Sequence, residues 1–420
     1  MSLSHNKQQF NSLYKKKSNF VFFKEIKKLN YDPIPHFLNF VEKNKYAFLY
    51  ESVEKGTDKG RYSICGYNSI TTLSLKGKSL TISYGKNKKK LKIKDNPLNK
   101  VDEIIKAFNF KKKSILPPMA GAFFGYLSYE NIYNIEKIQK YKKSNKLKTP
   151  DLILFIPEIL LIYDNFTSTL FILRHFVSKF RNKVNYENVV ENINNIQDKI
   201  STKVNAIEFN LQKKKNLKIK SNIKKSRFLQ NIIKAKRYIK NGDIFQVVPS
   251  QRFEVNYDGG GTPLYRVLRR TNPSPFMYYF NLQNFQIVGS SPEILVRLRS
   301  NKITVRPIAG TRPRGKNEIQ DKKNEIELLA DKKEVSEHLM LLDLGRNDVG
   351  KVAKKGSVKV TAKFIIERYS HVMHIVSNVI GKIRSDISPI SALMAGFPAG
   401  TVSGAPKIRA MQIIDELENE

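Results

Sequence analysis

Two patterns of apolar residues divide the chain. In the first half, from about residue 19 to residue 200, short β-branched and aromatic runs are separated by Gly, Asn and Asp turns, which predicts a sheet-rich domain. The clearest predicted strands are residues 46–50, 70–75, 80–84 and 152–161. Residues 211–225 are rich in Lys, Asn and Ser and predict a linker. The predicted organisation is an N-terminal domain over residues 1–210, the linker, and a second domain over residues 226–420.

The second half mixes helices and strands without a regular βαβ order. One apolar face followed by Asn241-Gly242 predicts a helix over residues 226–240. Further helices are predicted at 263–269, 331–342 and 408–417, and strands at 244–248, 276–280, 285–288 and 371–380. This mixture favours an α+β fold over a doubly wound parallel sheet.

Composition narrows the class of protein. The 420 residues are 40% hydrophobic and 10% aromatic, which is enough to bury a sizeable core and excludes wholesale disorder. A single cysteine excludes a disulfide framework and any Cys-built metal site. Residues 1–17 lack the apolar core of a signal peptide, and the longest apolar stretch, 152–163, is too short for a membrane span. We therefore expect a cytoplasmic protein with no membrane contact.

The net charge is strongly positive. The chain has 75 Lys and Arg against 37 Asp and Glu, a formal charge of +38, which first suggests a nucleic-acid binder. The lysines are spread along the whole chain, however, and runs at 88–90, 111–113 and 213–215 are typical of loops or solvated faces. No nucleic-acid-binding motif accompanies them, so no nucleic-acid partner is predicted. A basic field would still attract small polyanions and acidic proteins.

One predicted helix carries a candidate cation site. Glu334 and Glu337 are three residues apart and share a helical face, with His338 beside them. Carboxylate oxygens suit Mg²⁺, which completes its shell with water and substrate oxygens. A solvated acidic face balanced by Lys332 and Lys333 explains the same spacing. The residues alone leave both interpretations open.

Three other stretches contain residues that need a chemical reason. Residues 306–315 place three arginines around a Gly-Thr pair, which suits carboxylate or phosphate capture or a basic surface loop. Residues 396–407 are small and lead into a helix, which suits close approach of a ligand or a simple cap. His371 and His374 point to opposite faces of a strand, so zinc is discounted. His374 alone is either a general acid or base or a packed core residue.

Together these stretches resemble the chorismate-using enzymes, specifically the large-subunit family of anthranilate synthases. The similarity is carried by long motifs in order along most of the chain: Tyr50-Glu51-Ser52-Val53-Glu54, Gly60-Arg61-Tyr62-Ser63-Ile64, Gly242-Asp243-Ile244-Phe245-Gln246, Asn272-Pro273-Ser274-Pro275-Phe276-Met277, Gly289-Ser290-Ser291-Pro292-Glu293, residues 337–348, Arg368-Tyr369-Ser370-His371-Val372-Met373-His374 and residues 400–407.

The resemblance implies an α+β fold of two packed antiparallel sheets flanked by helices. It implies Mg²⁺-dependent conversion of chorismate and ammonia to anthranilate and pyruvate, the first committed step of tryptophan biosynthesis, with feedback inhibition by tryptophan. It implies that Glu337 binds magnesium directly and that Glu334 lies nearby without contacting the ion. The remaining implied residues are Gly310, Thr311 and Thr401 on the substrate, His374 and Thr401 in catalysis, and Ser52, Pro275, Phe276 and Met277 at the tryptophan site.

Two positions discriminate among the related activities, and the single cysteine bears on the source of ammonia. Aminodeoxychorismate synthases carry a nucleophilic lysine where this chain has Ala309, which disfavours that alternative. Isochorismate and salicylate synthases carry a water-activating lysine where it has Gln246, so ammonia is the expected nucleophile. The one cysteine, Cys65, does not lie in a nucleophile setting. We therefore expect a separate glutamine amidotransferase subunit as the ammonia source.

Family sequences continue with an Arg-Gly-x-Tyr-Gly-Gly stretch, a Gly-rich loop and a second glutamate that closes the magnesium site. The 420 residues do not contain these motifs. We therefore expect an incomplete active site in this chain as written. The alternative function is a fragment that retains tryptophan or partner binding without turnover.

Overall fold

The structure, a computed structural model, describes residues 2–53, 60–139, 146–178, 184–202, 218–369 and 371–418. Part of the predicted linker, residues 211–217, lies outside the described residues. The remainder of that segment is not an irregular linker: Lys220–Ser221 form a strand, and a helix begins at Lys225.

The described residues form ten α-helices, two short 3₁₀ helices and twenty strands. The helices are α1 (Lys7–Lys15), α2 (Ile34–Lys43), α3 (Pro97–Ala107), α4 (Tyr186–Ser201), α5 (Lys225–Lys240), α6 (Gly261–Thr271), α7 (Glu318–Ala330), α8 (Lys332–Gly350), α9 (Pro389–Ala395) and α10 (Lys407–Leu417), with 3₁₀ helices at Tyr129–Asn134 and Gly400–Val402. The strands are β1 (Ser2–Leu3), β2 (Phe20–Ile26), β3 (Ala47–Glu51), β4 (Tyr62–Lys76), β5 (Ser79–Tyr84), β6 (Asn87–Lys92), β7 (Phe124–Leu127), β8 (Leu152–Asp164), β9 (Thr169–Phe176), β10 (Lys220–Ser221), β11 (Gln246–Val247), β12 (Phe253–Glu254), β13 (Phe276–Asn281), β14 (Gln286–Ser291), β15 (Arg297–Arg299), β16 (Lys302–Val305), β17 (Ile308–Pro313), β18 (Lys359–Arg368), β19 (Val372–Lys382) and β20 (Gly404–Ala405).

The chain forms two compact units that are not consecutive halves. Unit 1 contains Met1–Ser128, Pro150–Gln212 and Gly259–Pro292, and unit 2 contains Tyr129–Thr149, Lys213–Asp258 and Glu293–Glu420. The predicted division into 1–210 and 226–420 therefore differs from the structure at two segments. Residues 259–292 fold with unit 1 because β13 pairs with β3, a strand of the first half.

Unit 1 is built on an antiparallel sheet of eleven strands. The strand order is β1-β2-β9-β8-β4-β3-β13-β14, with β5 and β6 continuing from β4 and β7 paired to β8. Alternate residues of the central strands enter two separate apolar cores, one on each face of the sheet. One core is closed by apolar faces of α1, α2, α4 and α6. Strands β8 and β9 are buried on both faces, which explains their almost continuous apolar sequence.

Unit 2 contains a five-stranded antiparallel sheet with β19 at its centre. Strands β16 and β17 pair one after the other along one edge of β19, and β18 pairs along the other edge. Helix α8 packs against β17 and β19. Its apolar contacts, among them Leu342 and Val349 against Ile303 and Val379, form the core of this unit. A small pair, β11 with β20, lies beside α10.

The fold-class prediction is confirmed: the protein is α+β, and every pairing between its named strands is antiparallel. The four strands predicted in the first half are present as β3, β4, β5 and β8. Helix α8 extends to Gly350, beyond the predicted end at residue 342. None of the helices formed by the described residues is long and apolar enough to cross a membrane.

Candidate active site

Helix α8 carries the two carboxylates that the sequence analysis identified. Asp331 caps its N-terminus, and the Asp331 Oδ1 atom accepts hydrogen bonds from the backbone N–H groups of Lys333 (2.9 Å) and Glu334 (3.2 Å). This cap fixes the helical register, so Glu334 and Glu337 lie one turn apart on the same face. Both side chains are half-buried in unit 2.

The Glu337 carboxylate accepts a hydrogen bond from an amide side chain and is not paired with a basic side chain among the described residues. Gln246 of β11 donates from Nε2 to Glu337 Oε1 at 3.0 Å. Lys333, four residues earlier on the helix, does not pair with it, and no ion pair to Glu337 occurs among the described residues. Glu337 is therefore a half-buried carboxylate without a basic partner among the described residues. Its donor set fits a divalent cation, because Mg²⁺ takes one or two carboxylates and fills its shell with water and substrate oxygens.

The described residues offer no group of three or more His, Cys, Asp and Glu side chains that could enclose a metal ion. A cation at Glu337 would therefore depend on water and substrate for most of its ligands. Glu334 is less free than Glu337, because Arg312 Nη1 lies 3.8 Å from Glu334 Oε1. The magnesium assignment of Glu337 and Glu334 stays a prediction.

Strand β17 brings two predicted substrate residues next to these carboxylates. The pairing with β19 shifts by one residue between Ala309 and Thr311, which is a β-bulge at Gly310. Gly310 has a φ of 73°, and a Cβ atom placed there would lie 3.0 Å from Ile375 Cδ1 and 3.4 Å from Glu334 Oε2. A glycine is therefore required by both backbone conformation and space.

His374 lies directly opposite Thr311 in the sheet. Its Nδ1 atom is 3.1 Å from the Gly310 carbonyl oxygen and 3.0 Å from Thr311 Oγ1. Because a carbonyl only accepts, Nδ1 carries the proton and Nε2 keeps its lone pair. Burial lowers the pKa of His374, opposed by the Gly310 carbonyl and by Glu367, so the ring is neutral near pH 7. His374 is thus able to accept a proton at Nε2.

The three arginines of residues 306–315 are not free for a ligand. Arg306 is paired with Glu367, and Arg312 contacts Glu327 at 3.2 Å and Asp331 at 2.7 Å. Arg314 forms an ion pair with Asp321, and Arg314 Nη2 lies 2.6 Å from Asp321 Oδ2. Residues 308–313 of this segment form the bulged strand β17 rather than a surface loop. These arginines stabilise the sheet and α7 by ion pairs, and the suggested anion capture by them is not supported.

Thr401 meets a carboxyl that sequence reasoning did not single out. Thr401 Oγ1 donates to Glu293 Oε2 at 3.2 Å, and burial raises the pKa of Glu293 to about 7. Glu293 therefore keeps a proton near neutral pH, as a general acid requires. The two residues are 108 positions apart. The sequence signal for this pair is that each residue lies in one of the family motifs, Glu293 in residues 289–293 and Thr401 in residues 400–407.

The small-residue segment 396–407 is fixed onto α8. A Cβ atom at Gly400 would lie 2.3 Å from Leu344 Cδ2, so the backbone approaches the helix closely. Lys407 is buried and forms an ion pair with buried Asp348 of α8, Nζ to Oδ2 at 2.6 Å. These contacts place Thr401 near the helix turn that follows Glu337.

The predicted tryptophan-site residues come together in unit 1. Met277 of β13 lies opposite Glu51 of β3, and the Val53 N–H donates to the Ser274 carbonyl at 2.9 Å. Ser52 lies between these two contacts, beside the segment of Pro275 and Phe276. Strand pairing thus joins residues that are more than 200 positions apart in the sequence.

Glu51, which is buried, lies next to the predicted tryptophan-site residues. It accepts a hydrogen bond from Tyr265 O–H at 2.6 Å and contacts Arg269 Nη2 at 3.1 Å. Cys65 is completely buried in the same unit, and burial raises the pKa of its thiol. A thiol of this kind is a poor nucleophile, which agrees with the prediction that this cysteine is not a glutaminase residue.

Comparison with known proteins places the chain in a family. A family model described as chorismate binding enzyme matches residues 46–420. The chain belongs to the chorismate-binding enzymes. Anthranilate synthase component 1 of Aquifex aeolicus (strain VF5) is 42% identical over 393 residues, covering 92% of this chain and 78% of the relative. The same protein of Neisseria gonorrhoeae (strain ATCC 700825 / FA 1090) is 41% identical over 379 residues, covering 89% and 76%.

Solved structures of chorismate-binding enzymes agree with the fold. The crystal structure of anthranilate synthase component I from Streptococcus pneumoniae TIGR4 matches with a TM-score of 0.72 and 31% identity, covering 94% of this chain and 84% of that one. The menaquinone-specific isochorismate synthase MenF of Escherichia coli matches with a TM-score of 0.65 at 14% identity and supports the fold alone.

Proposed function

We propose that this chain is an anthranilate synthase large subunit that converts chorismate and ammonia to anthranilate, pyruvate and water. The observation that carries the proposal is the hydrogen bond from Gln246 to Glu337, 3.0 Å long, at the centre of the site. An amide cannot remove a proton from water, so this site is built for a nucleophile that needs no such activation. Ala309, beside the Gly310 bulge, likewise offers no amine for a covalent adduct.

Glu337, supported by Glu334, would hold Mg²⁺. When bound, the ion would supply positive charge for the substrate's ring carboxylate and ease departure of its hydroxyl group. Glu293 donates the proton that this leaving hydroxyl needs, since its carboxyl is protonated near neutral pH. His374 accepts the ring proton at Nε2 when pyruvate leaves and the ring becomes aromatic. The backbone N–H of Gly310 and the hydroxyl group of Thr311 would orient the substrate by hydrogen bonds.

The ammonia would come from a glutaminase subunit. The relatives are named component 1, and the buried thiol of Cys65 is not a glutaminase nucleophile. A heteromer with a glutamine amidotransferase therefore supports glutamine-dependent activity, and free ammonium supports activity without it. A cytoplasmic location remains the prediction from the sequence.

Product analysis tests the reaction. Purified chain is incubated with chorismate, Mg²⁺ and excess ammonium, and anthranilate is followed by its fluorescence while pyruvate is measured separately. Any anthranilate formed should be matched by an equal amount of pyruvate, and both products should be lost in Glu337→Gln but unchanged in Glu318→Gln at the start of α7. Isochorismate or an amino-chorismate as the product would contradict the proposal. Chorismate binding, measured in parallel by calorimetry, should require Mg²⁺ and an intact Glu337.

We further propose that tryptophan binds at Ser52 and the Pro275–Met277 segment and inhibits turnover. The strand pairing that brings these residues together supports this site. The chain contains no tryptophan of its own, so the fluorescence of added tryptophan reports binding directly. We expect a spectral shift on binding that Ser52→Phe abolishes and that Ser79→Phe, on another strand of the same sheet, does not. Binding unaffected by Ser52→Phe would refute this location.

A further inference from the structure

A polar cavity of about 820 Å³ opens on unit 1, away from the residues assigned above. It is bordered by β4, β5 and β6, by Lys43 at the end of α2, and by the loops that contain Lys45 and Asn284. Its volume is in the range of sites for small molecules. None of the described residues that line it is acidic.

The cationic groups around this cavity have no partners of their own. Lys43, Lys45 and Lys88 line it, and none of them forms an ion pair with any residue that the structure describes. Elsewhere in the protein many basic side chains, such as Arg174 with Glu158 at 2.6 Å, are paired with carboxylates. Three unpaired ammonium groups around one concavity repel each other, and an anion between them would relieve that repulsion.

The floor of the cavity is a ladder of hydroxyl groups. Strand register places Lys88 of β6 opposite Ser83 of β5, and Ser83 opposite Thr72 of β4. The next rung of the ladder pairs Thr81 with Ser74. Directly opposite side chains on one sheet face are only ~5 Å apart, so a lysine and several hydroxyls converge on one ligand-sized area.

These hydroxyls are available to a ligand. Only Ser69 and Thr72 bond to each other, at 2.7 Å. The hydroxyls of Ser74, Thr81 and Ser83 make no hydrogen bond to another described residue, although all three side chains are half-buried. Such a row of donors and acceptors suits a molecule that itself carries hydroxyl groups.

We propose that this cavity is a binding site for a small phosphorylated molecule that also carries hydroxyl groups, of the sugar-phosphate class. The phosphate would lie among Lys43, Lys45 and Lys88, since ammonium groups act as point charges for phosphate. The ligand's hydroxyls would bond to Ser74, Thr81 and Ser83. The site belongs to unit 1 alone and does not depend on the reaction proposed above.

Calorimetric titration with ribose 5-phosphate tests the site, with ribose and inorganic phosphate as probes of the two halves of the ligand. Lys88→Gln removes one charge from the cavity. Lys89→Gln is the matched control, because it removes the same charge from the next residue, which lies opposite Ile82 and so on the other face of the strand. We expect saturable binding that Lys88→Gln weakens about tenfold and Lys89→Gln by less than about twofold. The double variant Thr81→Val/Ser83→Ala should weaken ribose 5-phosphate but not inorganic phosphate.

Three results would overturn the proposal. Absence of saturable binding removes the site. Equal losses in the two lysine variants would show a general effect of charge rather than a site. Tighter binding of a single-stranded oligonucleotide, with the same dependence on Lys88, would assign the face to an extended polyanion instead. Both lysines are exposed, so unchanged thermal unfolding confirms that the variants fold.

Discussion

The buried histidine of α8 should make unit 2 sensitive to acid. His338 is 0% exposed, its ring packs against Phe364 at 4.9 Å, and its Nε2 atom lies 2.7 Å from Ser377 Oγ. Its Nδ1 atom is buried and has no hydrogen-bond partner among the described residues. Burial lowers the pKa of His338 from 6.5 to about 4, because a charged ring would be poorly solvated there.

The direction of the effect follows from the two pKa values. Below pH 6.5 the unfolded chain binds a proton that the folded chain excludes until about pH 4. The stability contribution is therefore complete above pH 6.5 and is lost as the pH falls toward 4. Between pH 7 and pH 5 this single group should lower the free energy of unfolding by about 2 kcal/mol.

Urea unfolding of the wild type and of His338→Gln at pH 7 and pH 5 measures this loss. Glutamine does not titrate and can still bond to Ser377, so the variant should lose about 2 kcal/mol less than the wild type over this interval. His371→Gln, at an exposed position, should behave as the wild type. His175, buried in unit 1 with a pKa lowered to about 4, is present in all three proteins and cancels. Equal pH dependence in the wild type and in His338→Gln would refute the reasoning.

Three further predictions concern the candidate site. Lys407→Met removes the closer of two lysines that pair with the buried Asp348 carboxylate, leaving Lys351 at 3.5 Å, and should lower the free energy of unfolding by about 3 kcal/mol, and adding Asp348→Leu should restore most of it. Gly310→Ala forces a side chain into a left-handed backbone position 3.0 Å from Ile375 and should reduce kcat/KM for chorismate at least about tenfold. Glu293 has a pKa of about 7, so activity should fall as the pH rises above 7, and Glu293→Gln should leave a low rate without that alkaline limb.

Each of these has a distinguishing control. A double variant no more stable than Lys407→Met would mean that the ion pair is not the source of the loss. Gly356→Ala also has a positive φ, 72°, but meets no atom within 4 Å, so it should lose stability without losing kcat/KM. An unchanged alkaline limb in Glu293→Gln would assign the titration to another group.

Local pattern predicted the elements that have simple local causes. The apolar alternation of β4 and β5 and the continuous run of β8 come from burial of one or both strand faces, so the sequence is sufficient to find them. Helices α3 and α4 were missed although Asn96 and Asn185 cap them, because their apolar residues were interpreted as parts of a sheet domain. Both begin with the capping signal that would have separated them.

The candidate site was predicted by motif, whereas its geometry depends on contacts that are distant in the sequence. No local pattern shows that Gln246 reaches Glu337, or that Thr401 reaches Glu293. The arginines illustrate the same point, since Arg312 of β17 forms an ion pair with Glu327 of α7. The predicted domain boundaries differ from the two units for the same reason, because β3 pairs with β13 across more than 200 residues of sequence.

The bulge at Gly310 makes the site depend on the number of residues in β17 as well as on their identity. Before the bulge, Ala309 faces Ile375, and after it Thr311 faces His374. Because side chains alternate between faces, losing one residue there would turn Thr311 to the opposite side of the sheet while leaving every amino acid around it unchanged. Within this strand a deletion of one codon is therefore more damaging than most substitutions, and related sequences should be free of length variation there.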